Sequence, residues 1–183
     1  MFEDKRSKSI ILLAHCIINQ NAKSDGTASY GGTITELVDL INSIDIGIVQ
    51  MPCPELHCLG LDRGDVNGSM RPVIEENSRI RNVIKQESSL KIIRGLIQSV
   101  VYQIEEYLKN GFEIKGVIGI NRSPSCGVES TSMDNEEIAG QGVFIKELQK
   151  QFEKKEFQIP IVGIKVFEPE NALTIVKNVI GLG

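Results

Sequence analysis

Two hydrophobic rhythms alternate along the chain. Short runs rich in Ile and Val lie at 9–14, 46–50, 116–120 and 159–164. None alternates strictly between apolar and polar, which is the pattern of strands covered on both faces. Between them, apolar residues recur in steps of three and four, as on one face of a helix. Ile34, Leu37, Val38 and Ile41 form one such face; Ile93, Leu96, Ile97, Val100, Val101, Ile104 and Leu108 form a longer one. Ser89 marks the N-cap region of the longer helix and Asn110-Gly111 its stop. Two further helices are read at 143–152 and 171–180. Strand and helix thus alternate four times. That order predicts right-handed crossovers and an α/β fold, a doubly wound, Rossmann-like parallel sheet with helices on both faces. No repeat, low-complexity tract or linker interrupts it, so residues 1–183 are read as a single domain.

One stretch breaks the alternation. From 61 to 86 the chain is rich in Arg, Asp, Asn, Gly and Ser, with Pro72 in the middle and a short helix expected near 80–84. It reads either as a solvated surface excursion or as a lid or wall of a pocket, since long excursions in compact domains often serve a site.

Charge narrows the partners. A formal net charge of −4, with no basic stripe, argues against nucleic acid or an anionic membrane surface and leaves a small-molecule substrate as the expected partner. A homodimer is compatible with this composition. Residues 1–6 are a charged lead-in to a strand-length apolar run, too short for a signal peptide or membrane span. The expected location is therefore the cytoplasm. Thiols stay reduced there, so the four cysteines read as ligands, catalytic groups or buried fillers rather than as disulfides.

The position of the cysteines matters more than their number. Cys16, Cys53 and Cys126 each follow closely on the C-terminal end of a different expected strand. In an open parallel sheet those ends line up, and ligands bind in the crevice beside them. Three thiols distant in sequence would then meet. Zinc would want a fourth ligand, for which His15, His57 and Cys58 are candidates, but no CxxC pair is present. Soft thiolates equally suit an iron–sulfur cluster; three of them on a cubane leave one iron open as a Lewis acid.

The neighbours of these cysteines are suggestive. Pro54 fixes the turn after Cys53 and places Glu55 close by, where a carboxylate could activate water or merely stabilise the start of a helical turn. Ser123-Pro124-Ser125-Cys126-Gly127 can turn tightly and aim hydroxyls or amides into the crevice, though it is also ordinary turn chemistry. Lys23 and Arg63 could bind an anionic or carbonyl-bearing substrate, or be solvated surface. His15 is expected to turn away from Cys16, and Cys58 to be a small apolar filler.

Taken together, four segments resemble a known family. They are His15-Cys16-Ile17-Ile18-Asn19 leading to Lys23-Ser24-Asp25-Gly26; Cys53-Pro54-Glu55 followed by Gly60-Leu61 and Arg63; the intact Ser123–Gly127 motif; and Gly140-Gln141-Gly142-Val143. In these the chain resembles the TudS-related desulfidases, relatives of 2-thiouracil desulfidase. The resemblance implies a 4Fe–4S cluster on Cys16, Cys53 and Cys126. It further implies non-redox hydrolysis at the open iron, which takes sulfur from a thiocarbonyl-type, thiolated nucleobase-like molecule. Glu55 and Ser123 match the catalytic positions, with Ser125 in reserve; Lys23, Arg63 and Ser125 would face the substrate. His15, Asn19, Ser24 and Lys23 depart from the family pattern, near where substrate would be recognised.

Three other readings compete. A cluster-dependent dehydratase or isomerase would use the same open iron on oxygen. A zinc- or thiol-bearing α/β binding module would need no chemistry. A hydrolase with Cys126 or Cys53 as nucleophile ranks last, because both histidines adjoin the first two cysteine motifs instead of standing in loops of their own.

Overall fold

A computed structural model describes residues 4–183, so the first three residues of the charged lead-in lie outside the described part. In chain order the elements are β1 (Ser9–Leu13), the short α1 (His15–Ile18), α2 (Thr35–Asn42), β2 (Gly47–Gln50), α3 (Pro54–Leu59), α4 (Val73–Ile84) and α5 (Glu87–Lys109). They continue with β3 (Glu113–Ile120), β4 (Ser130–Met133), β5 (Glu136–Ala139), α6 (Val143–Lys154), β6 (Ile161–Ile164) and α7 (Pro169–Ile180).

The four expected strands form one parallel sheet in the order β2-β1-β3-β6. Helix α2 packs beside α7, and α5 beside α6, giving two helical layers around the sheet. The fold class matches the expectation from periodicity. Ile11, Leu12, Leu13, Val117 and Ile118 are almost fully buried, which explains their unbroken apolar runs. The edge strand β2 is only partly covered. From β1 the chain runs outward to β2, and from β3 the other way to β6. The crevice between β1 and β3 is therefore the switch point of the sheet, where ligands bind in such folds. Among the described residues no helix is long and apolar enough to cross a membrane.

Several details differ from the sequence reading. Strand β3 begins at Glu113, earlier than the apolar run alone indicates. Helix α5 begins at Glu87 with Gln86 as its N-cap; Ser89 is buried inside the first turn instead. Leu108, at the far end of that helix, is left 38% exposed. The excursion holds a full twelve-residue helix, α4, rather than a short one. Its inward stripe (Glu76, Ile80, Arg81 and Ile84) is half charged, which hides the helical period. A second feature left little apolar signal: β4 and β5 form an antiparallel hairpin of mostly polar residues. Its tip is Asp134-Asn135, both with positive φ, as a two-residue hairpin turn of mirror-image type requires.

Candidate functional site

At the C-terminal ends of β1, β2 and β3 a cleft of about 400 Å³ opens. Cys16, Cys53 and Cys126 all line it, as do Lys23, Glu55, Arg63, Ser123 and Ser125. His15 lines it too. It starts a helix, so the in-and-out alternation of a strand no longer governs where it points, contrary to expectation. Cys58 does not join them; its thiol reaches the Ser89 carbonyl of α5 at 3.6 Å.

Each cysteine is presented by a different local device. Cys16 sits in α1 immediately after β1, and the buried Gln20 donates to its carbonyl at 2.5 Å. Gln20 also accepts from Ser29 N, so it ties the 20–32 loop to the first cysteine. Cys53 is the N-cap of α3, its sulfur accepting the Leu56 amide at 3.5 Å, with Pro54 at the first helical position, where no N–H is missed.

Cys126 lies in a turn folded back on β3. Ile120 N donates to the Cys126 carbonyl at 2.9 Å, and a Cβ at Gly119 would stand 2.5 Å from that same oxygen, so only glycine fits there. The Pro124 and Ser125 carbonyls accept from Val143 N and Phe144 N, both at 3.0 Å. The cysteine turn thereby satisfies donors of the first turn of α6 that have no partner inside the helix. Gly142 has no room for a side chain against Ser125, which accounts for the glycine-rich approach to that helix.

None of the three thiols is in a disulfide. Burial pushes Cys16 up to about 12, with Cys53 adding to the rise. Cys53 is pushed up to about 11, by burial first and then by Glu55. Burial, followed by Cys53 and Cys16, raises Cys126 well above the ordinary thiol range. Thiols held neutral in this way are the reverse of what a cysteine nucleophile needs. Lys23, half buried, is pulled down by burial and supported by Cys16 and Glu55; its ammonium is bound by the Thr27 carbonyl.

Glu55 is the hub of the polar groups. Its Oε2 accepts Arg63 Nε at 3.0 Å, in an ion pair with both partners buried. Its Oε1 accepts the Ser125 hydroxyl at 2.5 Å, and the Ser123 hydroxyl more distantly at 3.4 Å. The two hydroxyls lie 3.2 Å apart. Ser123 Oγ also receives the amides of Cys126 (3.0 Å) and Ser125 (3.3 Å). Ser123 is half open to the cleft, whereas Ser125 is 1% exposed.

Arg63, expected to face substrate, lines the cleft and is also bound from within the protein. At 2% exposure its guanidinium donates to Glu55 and to the carbonyls of Gly60, Leu61 and Ala22. Little donor capacity remains for a ligand, and these bonds join the first and second cysteine motifs.

A sequence model described as 2-thiouracil desulfurase matches residues 11–157, most of the chain. The chain belongs to the 2-thiouracil desulfurase family. That membership makes it an enzyme of carbon–sulfur bond cleavage, and it bears out the resemblance read from the cysteine motifs. An uncharacterized protein of Methanocaldococcus jannaschii is 25% identical over 149 residues, 81% of each chain. A solved structure of a 4Fe–4S-dependent thiouracil desulfidase aligns at TM-score 0.40 and 18% identity, over 91% of this chain and 97% of that one.

All eight residues singled out from the sequence lie within the part of the chain matched by the desulfurase family. Sequence reasoning missed their supports. Gln20, Arg81, Asn121 and Thr131 are polar groups that bind backbone: Asn121 Oδ1 accepts the amides of Val128 and Glu129, and Thr131 Oγ1 donates to the Ser123 carbonyl. Nothing in local sequence marks such residues, because their partners lie far along the chain or in irregular backbone.

Proposed function

We propose that this desulfurase holds a 4Fe–4S cluster on Cys16, Cys53 and Cys126 and hydrolyses a thiocarbonyl small molecule, exchanging its sulfur for the oxygen of water. The observation that carries the proposal is Glu55, a buried carboxylate braced by Arg63 and two serines, in the same cleft as three converging reduced thiols.

The donor set suits a cluster better than a single ion. Three sulfurs on one zinc would each stand about 2.3 Å from it. Cys58, one candidate for the fourth ligand of a structural zinc, is turned to the Ser89 carbonyl instead. One sulfur already meets a donor that would favour a ligated thiolate, the Leu56 amide at Cys53. When bound, such a cluster supplies a soft Lewis acid, one iron having no protein ligand. The neutral thiols would shed protons on loading, so loading improves as pH rises.

The rest falls to the side chains. Glu55, fixed in orientation by Arg63, takes a proton from water attacking the thiocarbonyl carbon. Ser123 faces the cleft, and the path Ser123–Ser125–Glu55 is a hydroxyl relay along which that proton reaches the departing sulfur. The balance is C=S plus water giving C=O plus hydrogen sulfide, with no electron exchanged. Lys23 lines the cleft, its ammonium held by the Thr27 carbonyl, and offers a partner to an electron-rich substrate edge.

Anaerobically reconstituted protein should contain iron and acid-labile sulfide and release hydrogen sulfide from 2-thiouracil or a related thioamide. Cys16→Ala, Cys53→Ala or Cys126→Ala should each abolish the brown absorbance, and Cys58→Ala should keep it. Stoichiometric zinc, or no sulfide release from any thiocarbonyl compound, rejects the reading.

A further inference from the structure

One wall of the cleft comes from beyond the family-matched residues 11–157. There, in the turn between β6 and α7, buried Val166 is followed by Phe167. Phe167 lines the cleft and is 57% exposed. It is not a loose side chain. The Arg122 guanidinium lies 5.4 Å from its ring centroid and the Lys165 ammonium 5.9 Å. Glu137 of the β4–β5 hairpin ion-pairs with both cations, Arg122 at 3.2 Å and Lys165 at 3.4 Å. Arg122 itself occupies left-handed backbone, φ 69°, immediately after β3 and just before the cysteine turn. A carboxylate thus holds two cations, and the cations orient a ring that lines the cleft.

We propose that Phe167 is a specificity-determining residue, a stacking platform on which a planar, unsaturated ring carrying the thiocarbonyl lies. This rests on the desulfurase reading of the cleft. A flat π-face rewards a flat π-partner and gives an open-chain thioamide little, so Phe167 favours thiolated heterocycles over small acyclic thiocarbonyls. Arg122, Lys165 and Glu137 act through it as positioning residues.

The chain contains no tryptophan, so Phe167→Trp introduces its first indole and a reporter at this point. In reconstituted protein, 2-thiouracil and its sulfur-free counterpart uracil should each quench or shift the indole emission, and thioacetamide should not. In turnover, Phe167→Ala should lower the ratio of kcat/KM for 2-thiouracil to that for thioacetamide by roughly tenfold, within the range found for aromatic stacking on a nucleobase. Phe167→Trp should restore that ratio, which a merely structural role for the side chain would not predict. Emission that ignores both rings, or a ratio unmoved by Phe167→Ala, overturns the proposal. If no sulfide is released from any substrate, the desulfurase mechanism fails, while the emission experiment still decides whether a ring binds at Phe167.

Discussion

The walls of the cleft are built on different physics. On the sheet side, Cys16 emerges from a strand whose supports are apolar: Leu12 and Leu13 in β1, beside Val117 and Ile118 in β3, are packed with almost no exposure. On the α4 side the supports are polar and span long sequence distances. Arg63 binds Glu55 and the Ala22 carbonyl, and Arg79 of α4 binds the Arg63 carbonyl at 2.8 Å and Glu76 besides. Arg81 reaches Pro124 O, Thr131 Oγ1 and Gln141 O around the third cysteine turn. Asn77 and Ser78 dock on the hairpin through Ser132 and Asn135. The excursion is therefore a brace linking all three cysteine motifs. Apolar packing decides that the loops come near one another, with many small contacts that tolerate repacking. Directional polar bonds decide how the loops face, and a buried bond left half-made costs more than the bond contributes.

The largest expected effect strikes where the two kinds of support meet. Arg63→Ala leaves the Glu55 carboxylate buried without its counter-ion, and breaking a buried pair in this way costs about 3–5 kcal/mol. The urea midpoint should fall sharply, and turnover should be lost in whatever folded protein remains. Arg63→Met combined with Glu55→Leu should recover most of the stability and none of the activity, because burying neither charge removes the penalty. If Arg63→Ala proves as active as the parent, the brace does not orient Glu55.

Next comes a cut on the apolar side. Leu13→Ala at the exit of β1 opens a cavity in packed core and should cost about 3 kcal/mol in chemical denaturation. The iron bound per folded molecule should change little, since the neighbouring backbone is still held by the bonds Ala14 N–Ile118 O and Met51 N–Leu13 O. A drop in iron parallel to the drop in stability would mean that the two sides do not divide the work.

The same contrast explains what could be read in the chain. The β1, β2, β3 and β6 strands and the α5 face announce themselves because burial demands apolar residues at fixed periods. The convergence of Cys16, Cys53 and Cys126 follows from topology once the strands are placed. The first two turns of helix α4 and the β4–β5 hairpin escape because hydrogen bonds stand in for apolar burial there. A stripe such as Glu76, Ile80, Arg81 and Ile84 has the right spacing and the wrong chemistry for a hydrophobic count. The hairpin did leave one sign, Asp134-Asn135, two residues that tolerate the left-handed turn. Arg63 shows the limit from the other direction: its presence near the site was legible, but its role depended on Ala22, whose carbonyl it meets across 41 residues of chain.

The smallest effect on stability should be the most telling for the site. Arg81→Gln keeps a polar side chain but cannot reach the Pro124, Thr131 and Gln141 acceptors together, and the loss should be about 1–3 kcal/mol. The penalty is moderated because Pro124 O still accepts Val143 N and Thr131 still donates to Ser123 O. The turn that carries Ser125 and Cys126 would nonetheless lose its tie to α4. Reconstituted Arg81→Gln protein should therefore release iron to a chelator several times faster than the Leu13→Ala protein, despite being no less stable. That inversion separates orientation from stability: if iron loss merely ranks the variants by their denaturation midpoints, the polar brace adds nothing to the cysteines beyond its share of the folding free energy.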